Sequence, residues 1–310
     1  WNNTFPAVSI CMTKGRSTNV IQQFMEDYWK AENMSVGAQS VRFYRSILSL
    51  IFINHQQPLD GVNQNNCFAF NSTCGVDLDV IRQHLLPQKC SDFMISVEFL
   101  GRELPCEEVF KPHHTEIGQC FTANSLYSNG KTLKSFKQLP LKHSNRETVQ
   151  RMLKVKYTDI EFVIYKLFIH SNEEFPDGNL EGHGLRKANT NTFVALKSTE
   201  MINQDDVKGE SIAGRQCRFP DEYVNEFQLP YSISNCHFNV RMQRERRDCG
   251  CTLPIGNVPK DVTVCNITRY QCVKDSFQNS LNAIEEEKKA CSVPTCVAME
   301  VNNIGQFENC

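Results

Sequence analysis

Cysteine is the residue type through which this sequence shows the most chemistry. Fifteen of its 310 residues are cysteines, and a thiol can form a disulfide, bind a metal ion or act as a nucleophile. A chain that uses cysteine so heavily is typical of an oxidising compartment, where disulfides form and persist. We therefore interpret the cysteines as a disulfide framework rather than as catalytic thiols. Because fifteen is odd, at least one cysteine has no partner within the chain.

Eight of the cysteines lie between positions 217 and 296, around two predicted helices. The first helix is predicted over residues 237–248, which contain neither Gly nor Pro. The second is predicted over residues 273–290, where apolar residues recur every three or four positions and form one stripe. Both helices must therefore be positioned by the cysteines that flank them.

If these two helices pack antiparallel, the start of the first lies beside the end of the second, and the flanking cysteines meet in nested pairs. The predicted pairs are Cys217–Cys296, Cys236–Cys291, Cys249–Cys272 and Cys251–Cys265. Eight cysteines allow 105 connectivities, so the nesting is a hypothesis that rests on the positions of the helix ends. Each bridge would stabilise the fold by about 3–4.5 kcal/mol in the chain-entropy account. Such a region would be rigid.

Two polar motifs have a catalytic interpretation that we do not favour. His113, His114 and Glu116 could ligate a metal, but adjacent side chains point apart on a strand, and we expect a solvated loop. Residues 209–214 (GESIAG) are one residue too long for the nucleophile elbow of a hydrolase. We therefore predict that the chain is not an enzyme and uses no metal or cofactor.

A run of basic residues lies on the first predicted helix of the cysteine-rich segment. It consists of Arg241, Arg244, Arg246 and Arg247. We expect a solvated helix face; the alternative is contact with an acidic ligand, a sulfated glycan or a neighbouring subunit.

The part of the chain between Cys120 and Cys217 contains no cysteine and must fold by ordinary packing. It is rich in β-branched and aromatic residues, which predict strands. The predicted strands cover residues 155–157, 162–170 and 192–197, with a turn at 175–178 and an earlier helix at 38–53.

Composition and charge exclude several classes of protein. A net charge of −2 argues against a nucleic-acid binder, and 40% hydrophobic residues are enough for a packed core.

No apolar run approaches the roughly 18 residues that cross a bilayer, and the opening residues lack a signal segment, so we expect a mature or excised piece. Four sequons agree with passage through the secretory pathway. They are Asn2, Asn33, Asn71 and Asn266.

Several motifs together give this sequence a resemblance to a known family. In chain order they are residues 5–11 (FPAVSIC), 118–124 (GQCFTAN), 168–171 with 175–176 (FIHS, FP), 215–222 (RQCRFPDE), 231–236 (YSISNC) and 249–254 (CGCTLP). The set resembles the degenerin/epithelial sodium channel superfamily, and its insect pickpocket branch in particular.

The resemblance implies an α+β extracellular domain, with a β-sheet palm and β-ball, a helical finger, a knuckle and a two-helix disulfide-stapled thumb. The corresponding segments are residues 1–16 (first palm strand), 17–105 (finger), 106–216 (β-ball, palm and knuckle strands), 217–296 (thumb) and 297–310 (a truncated return palm strand). It also implies a Cys11–Cys120 bridge. The family's nested thumb bridges agree with the pairs inferred above from the helix ends.

The sequence also departs from the family pattern. Val240 stands where a further thumb cysteine is usual, and one cysteine is also missing after Cys291, as if one bridge had been lost as a pair. Val240 lies one turn from Cys236, so it can pack where that bridge would have been. Val97 occupies the place of the expected partner of Cys106, which must pair differently or stay free. Five cysteines have no assigned partner. They are Cys67, Cys74, Cys90, Cys106 and Cys310.

Acid-sensing relatives carry two carboxylates shortly after the cysteine that corresponds to Cys272. Lys274 and Gln278 occupy those places here, so the resemblance gives no basis for proton gating through that pocket.

The function that the resemblance implies is sensing and gating on the extracellular side of the plasma membrane. The chain would be part of an amiloride-sensitive-type, sodium-selective channel of three subunits, whose pore helices lie outside residues 1–310. It would therefore assemble with two further subunits and bind no nucleic acid. The alternative is a secreted disulfide-rich binding glycoprotein that reuses this domain without a pore.

Overall fold

The structure is a computed structural model of the chain. It describes residues 3–14, 23, 26–27, 78–127, 140–141, 153–158, 163–176, 180–185, 191–201, 203–222, 229–256, 258, 261–266, 269–278 and 280–309. The described residues form a mixed α/β fold that is rich in β-sheet. Six disulfides join the twelve cysteines among them. The helix predicted over residues 38–53 lies outside these ranges.

Twelve strands form four sheets within the described ranges. The strands are β1 (Asn3–Thr4), β2 (Ala7–Lys14), β3 (Met94–Phe99), β4 (Arg102–Leu104), β5 (Phe110–Thr115), β6 (Gly118–Ala123), β7 (Pro140–Leu141), β8 (Leu153–Tyr157), β9 (Val163–His170), β10 (His183–Gly184), β11 (Asn191–Met201) and β12 (Ala298–Asn309). The sheet orders are β10-β9-β2-β6-β5, β4-β3-β8, β11-β12 and β1-β7. The strands predicted over residues 155–157 and 192–197 are confirmed as parts of β8 and β11. The strand predicted over 162–170 is confirmed as β9 from Val163 onward, and residue 162 lies outside the described residues.

The five-stranded central sheet is antiparallel throughout, and β2 lies at its middle. Side chains of β2 alternate between its two faces, as the two-residue period of a strand requires. Val8, Ile10 and Met12 pack into the main core. On the other face, Ser9 Oγ lies 2.9 Å from Thr122 Oγ1 and 2.9 Å from His170 Nε2, so these buried polar groups satisfy one another.

Aromatic rings join the three-stranded sheet to the central sheet. Phe93, just before β3, stacks on Tyr165 of β9 with ring centroids 5.4 Å apart and lies 5.0 Å from Phe121 of β6. All three side chains are almost completely buried. Because large aromatic side chains dominate core energetics, this cluster fixes the two sheets against each other.

Most helical residues of the described chain lie after position 211. The helices are α1 (Leu78–Leu85), α2 (Cys106–Val109), α3 (Ile212–Arg215), α4 (Ile233–Cys249), α5 (Tyr270–Gln278) and α6 (Ser280–Ala290). The helix predicted over residues 237–248 is confirmed as part of α4. Helical residues also fill most of the segment predicted over 273–290, as α5 and α6.

Local sequence explains where α4 begins and ends. Ser232 precedes it, and its hydroxyl accepts a hydrogen bond from the Asn235 backbone N–H at 3.1 Å, as an N-cap residue does. Gly250 follows it with φ +70°, and its N–H donates to the Arg246 carbonyl. A left-handed residue of this kind favours glycine and closes the helix.

Candidate functional site

Four disulfides hold the helices of residues 217–296 together, and we call this segment the stapled region. Cys236, in the first turn of α4, is bonded to Cys291, which directly follows α6. At the other end of α4, Cys249 is bonded to Cys272 in α5. The structure also contains Cys251–Cys265 and Cys217–Cys296. The bridges at both ends of α4 place it antiparallel to the helices that follow.

A small apolar cluster surrounds the bridge at the start of α4. Val240, Cys236, Cys291 and Tyr231 are all buried and pack together. Val240 therefore fills space beside the Cys236–Cys291 bridge, as expected if it packs in place of the missing bridge. The Tyr231 hydroxyl donates to the Val293 carbonyl, so the polar end of this buried ring is also satisfied.

Two further disulfides lie outside the stapled region. Cys11 and Cys120 face each other on β2 and β6 and are bonded across the central sheet. Cys90 is bonded to Cys106 at the start of α2, which gives Cys106 a partner other than the usual family position. Val97 is buried within β3 instead. Cys67, Cys74 and Cys310 fall outside the described residues.

Two of the four arginines of the basic run on α4, Arg241 and Arg244, are buried, so these two do not form the solvated face that the sequence suggested. Arg241 is 9% exposed and forms a bidentate ion pair with Glu116, with Nε–Oε1 and NH2–Oε2 distances of 2.9 and 2.6 Å. The Glu116 carboxylate is 5% exposed and follows β5. The expectation of a solvated face is therefore wrong for Arg241, because a carboxylate 125 residues away in sequence neutralises it within the core.

The remaining arginines of the run bind mainly within the stapled region. Arg244 is buried and lies 3.0 Å from Glu287 of α6. Arg247 is 59% exposed and lies 2.9 Å from Glu286 of the same helix. Burial makes Arg241 and Arg244 unsuitable for the predicted ligand or subunit contact. Arg246 is partly exposed and Arg247 is exposed, so these two side chains are accessible for such a contact.

Glu245, between these arginines, anchors the loop that follows α4. Its Oε2 accepts hydrogen bonds from the Thr252 hydroxyl at 2.8 Å and from the Leu253 backbone N–H at 3.0 Å. Burial of the carboxyl group raises the pKa of Glu245 to about 7. The side chain thus ties the Cys251–Cys265 loop to the buried face of α4.

The same loop forms a second contact with the central sheet. The Gly256 backbone N–H donates to the His114 carbonyl of β5 at 2.7 Å. Gly256 has φ +65°, and a Cβ atom at this position would lie 3.1 Å from the ring of Phe175. Glycine is therefore favoured here both by the backbone conformation and by the close approach of the ring.

A third contact lies at the start of α4. The Asn235 side-chain oxygen accepts from the Phe175 backbone N–H at 2.8 Å, and its amide nitrogen donates to the Glu173 carbonyl at 2.7 Å. The Phe175 ring stacks on Phe238 of α4 with centroids 4.3 Å apart. We call the three contacts Arg241–Glu116, Gly256–His114 and Asn235–Phe175 the junction between the stapled region and the sheet.

The two adjacent histidines lie in a strand and not in the solvated loop that we expected. His113 is buried in β5, with its ring 5.4 Å from that of Phe175. Burial lowers the pKa of His113 to about 3, with smaller contributions from His114 and His170. The expectation failed because the hydrophobic neighbours that bury this strand come from distant parts of the chain.

Among the described residues, the one cluster with metal-ligand geometry is Cys90, Cys106 and Glu107, and its two sulfurs are bonded to each other. Ser211, within the motif considered for a hydrolase, is the N-cap of α3, and its hydroxyl accepts from the Gly214 backbone N–H at 3.1 Å. A local structural role therefore accounts for this serine.

Of the four predicted glycosylation sites, Asn266 lies among the described residues, and it is exposed. Asn2, Asn33 and Asn71 lie outside the described residues, as do the side chains of Lys274 and Gln278. Sequence reasoning missed Asn235 and Glu245 altogether and assigned Glu116 only a weak metal role. No local signal could have found them, since each acts through contacts that the tertiary fold creates.

Comparison with known proteins gives matches along nearly the whole chain. The family described as "Amiloride-sensitive sodium channel" matches residues 1–304. Sodium channel protein Nach of Drosophila melanogaster is 25% identical over 229 residues, which cover 67% of this chain and 42% of that protein. The Nach protein of Drosophila virilis is 24% identical over 212 residues, which cover 67% of this chain and 54% of that protein.

Pickpocket protein 11 of Drosophila melanogaster is 27% identical over 141 residues, which cover 43% of this chain and 25% of that protein. The chain thus spans about half the length of the Nach proteins that it matches, or less. No helix in the described part of the chain is long and apolar enough to cross a membrane. The family match extends over 304 of 310 residues and includes the cysteines of the stapled region, so this chain belongs to the amiloride-sensitive sodium channel family.

Proposed function

We propose that this chain is the extracellular stimulus-sensing and gating part of a sodium-selective, amiloride-sensitive-type cation channel. Three such subunits would surround one pore, which is formed by helices outside residues 1–310. The observation that carries the proposal is the family match over residues 1–304. The similar proteins are named as sodium channels, which are not enzymes.

The segments would take the roles that the family resemblance assigns to them. Residues 1–16 and 297–310 would be palm strands, and residues 17–105 the finger. Residues 106–216 would supply the β-ball, knuckle and further palm strands, and the stapled region would be the thumb. Support for this layout comes from the position of β2 at the centre of the main sheet and from the four bridges of residues 217–296.

An extracellular position agrees with the covalent chemistry of the chain. Six disulfides join the described cysteines, and disulfides persist in oxidising compartments. Asn266 lies exposed within a sequon, where a glycan would meet no packed core.

In this proposal the stapled region acts as a stiff lever. A displacement applied to it would reach the central sheet only if the helices and the contact between them resist deformation. Bridges at both ends of α4 and the buried Arg241–Glu116 pair supply that resistance. The sheet would then pass the displacement to the pore helices.

The proposed function is tested by expressing the full-length parent protein in oocytes and recording current. We expect an inward current that disappears when external sodium is replaced by a large organic cation, and that is blocked by amiloride. Pressure steps and acidified buffer, applied separately, would identify the stimulus. A protein found in the medium, with no current under any stimulus, would support the secreted binding glycoprotein instead.

The proposed stoichiometry has its own experiment. Full-length subunits that carry one fluorescent protein each should bleach in three steps when single channels are observed at the cell surface. A distribution best described by two or four steps would contradict the trimer. A known trimeric membrane protein with the same label provides the control for incomplete labelling.

A further inference from the structure

We propose that movement of the stapled region is transmitted to the central sheet at the turn between β5 and β6. In this proposal the ion pair between Arg241 and Glu116 determines how strongly the two are coupled. The proposal rests on the gating function proposed above and names the residues through which it would act. It makes Arg241 and Glu116 positioning residues for gating.

Two of the three junction contacts converge on the end of β5 and the turn that follows it. The Gly256 backbone N–H binds the carbonyl of His114, and Arg241 binds the side chain of Glu116, two residues later. The first contact comes from the Cys251–Cys265 loop and the second from α4. The stapled region therefore holds the turn by both backbone and side chain, from two different elements.

The Arg241–Glu116 pair is suited to transmit force because of its geometry and its burial. Two parallel hydrogen bonds between guanidinium and carboxylate fix the angle between the groups as well as their distance. Both side chains are at least nine-tenths buried, so salt and water screen the attraction much less than at the surface. Separating the groups would break both hydrogen bonds between two buried charges and leave Arg241 the more distant Glu287 carboxylate, 3.9 Å away. The pair therefore stays closed when the stapled region moves.

The turn itself is stiff and leads into β6, the neighbour of the central strand β2. The fully buried Thr115 hydroxyl donates to the Gly118 carbonyl at 3.1 Å and accepts from the Ile117 backbone N–H at 3.1 Å. Strand β6 begins at Gly118, and its Cys120 is bonded to Cys11 of β2. A displacement at Glu116 thus reaches the central strand through a hydrogen-bonded ladder and a covalent bridge.

The decisive variant removes the ion pair without leaving an unpaired charge. Glu116→Gln combined with Arg241→Gln deletes both charges together, so neither partner is left buried and uncompensated, and the subunit is expected to reach the surface. The matched control is Lys154→Gln combined with Glu98→Gln. It likewise removes both charges of one ion pair, but the pair is exposed, joins β8 to β3 and lies outside the junction.

Each variant is introduced into the full-length channel. Sodium current is measured against the strength of the stimulus that opens the wild type, and is divided by the number of channels labelled at the surface. For the double variant at 116 and 241 we expect a loss of about fivefold or more in current per channel at the half-activating stimulus, the lower end of typical coupling between sites. The double variant at 154 and 98 should follow the wild-type curve.

The possible outcomes separate this proposal from the function on which it rests. Wild-type current with an unchanged activation curve for the double variant at 116 and 241 would overturn the coupling role alone. The coupling role is also overturned if that variant lowers only the number of channels at the surface, because loss of a pair that merely stabilises the fold would have this effect. Absence of sodium current from the wild type would overturn the proposed function and the coupling role with it.

Discussion

Arg241 and Glu116 show how a charged side chain can be part of a core. Arg241 lies on the buried face of α4, where apolar side chains would ordinarily be expected, and Glu116 supplies the carboxylate that makes its burial tolerable. Glu245, on the same face, is satisfied by Thr252 and Leu253. At this scale the fold depends on particular polar pairs rather than on hydrophobic burial alone.

The stability of the protein should therefore be sensitive to one carboxylate. Glu116→Gln removes the bidentate partner of the buried Arg241 guanidinium and leaves it the Glu287 carboxylate, 3.9 Å away. We expect a loss of about 3 kcal/mol in the free energy of unfolding, the lower end of the cost of breaking a buried pair. Thermal unfolding of the purified full-length protein measures the change. Glu98→Gln, which breaks an exposed pair with Lys154, should cost less than about 1 kcal/mol. Equal effects of the two variants would contradict this account of the junction.

Glu245 should make stability depend on pH. Its pKa in the folded protein is about 7, above the ordinary value of 4.5, so between these values the folded chain holds a proton that the unfolded chain has released. The contribution of the protonated carboxyl is complete below pH 4.5 and is lost as the pH rises through 7. Glu245→Gln, which resembles the protonated form, should match the wild type near pH ~5 and be about 1–3 kcal/mol more stable near pH ~8.

This prediction is checked by comparing unfolding curves of the two proteins across that pH range. Glu285→Gln, which removes an exposed carboxylate from α6, controls for the change in net charge. If the difference between wild type and Glu245→Gln stays constant with pH, the buried carboxyl is already ionised in the folded state.

At the scale of the elements, α4 is defined by its ends. Ser232 and Gly250 set where the helix begins and stops, and the bridges of Cys236 and Cys249 attach those same ends to the helices that follow. The buried face of α4 is then attached to the sheet by distant partners, chief among them Glu116. The element is fixed at its termini by local signals and on its face by tertiary contacts.

The loop contact at Gly256 should not tolerate a side chain. Gly256→Ala would require φ +65° of a non-glycine residue and would place a methyl group 3.1 Å from the Phe175 ring. We expect a loss of about 1–2 kcal/mol in the free energy of unfolding. Gly101→Ala, also at positive φ but with open space around it, isolates the backbone cost. A variant at Gly256 no less stable than that control would show that the ring moves aside freely.

The nested bridges should contribute according to the loops that they close. Replacing Cys236 and Cys291 with Ala opens a loop of 55 residues, and replacing Cys251 and Cys265 with Ala opens one of 14. The chain-entropy account predicts losses of about 4 and about 3 kcal/mol, respectively. Denaturant unfolding of the full-length protein gives both values. The reverse ranking would indicate that packing around the bridges, rather than loop closure, dominates.

At the scale of the whole molecule, the central sheet gathers strands from distant parts of the sequence. Strand β2 near the beginning of the chain pairs with both β6 and β9, and the bridge Cys11–Cys120 spans 109 residues. The stapled region is added later in the sequence and contacts this sheet at the β5–β6 turn and near Phe175. Assembly of the junction therefore requires that the sheet and the stapled region have both formed.

Peptide mapping under non-reducing conditions should recover the six pairs of the described cysteines. The informative fragment is the one that contains Cys90, because the sequence assigned it no partner and the structure bonds it to Cys106. A reduced and alkylated sample provides the control for each peptide mass. Cys90 joined to Cys67 or Cys74 would contradict the structure in this part of the chain.

Features that depend on near neighbours along the chain could be predicted from the amino-acid sequence. The runs without Gly or Pro, the cysteines at their ends and the order of the motifs led to the helices, the nested pairs that the structure contains and the family. These inferences were possible because helix ends are local and a cysteine restricts its partners to other cysteines.

Which polar residues contact one another became evident from the three-dimensional packing. Arg241 and Glu116 are 125 residues apart, and nothing in the sequence around either one distinguishes a buried ion pair from a solvated charge. The Cys90–Cys106 bridge and the contact of Gly256 with His114 could likewise not be predicted from the sequence. The physical reason is that the cost of burying a charge or a backbone group depends on the partner it finds, and that partner is set by how the strands and helices pack in three dimensions.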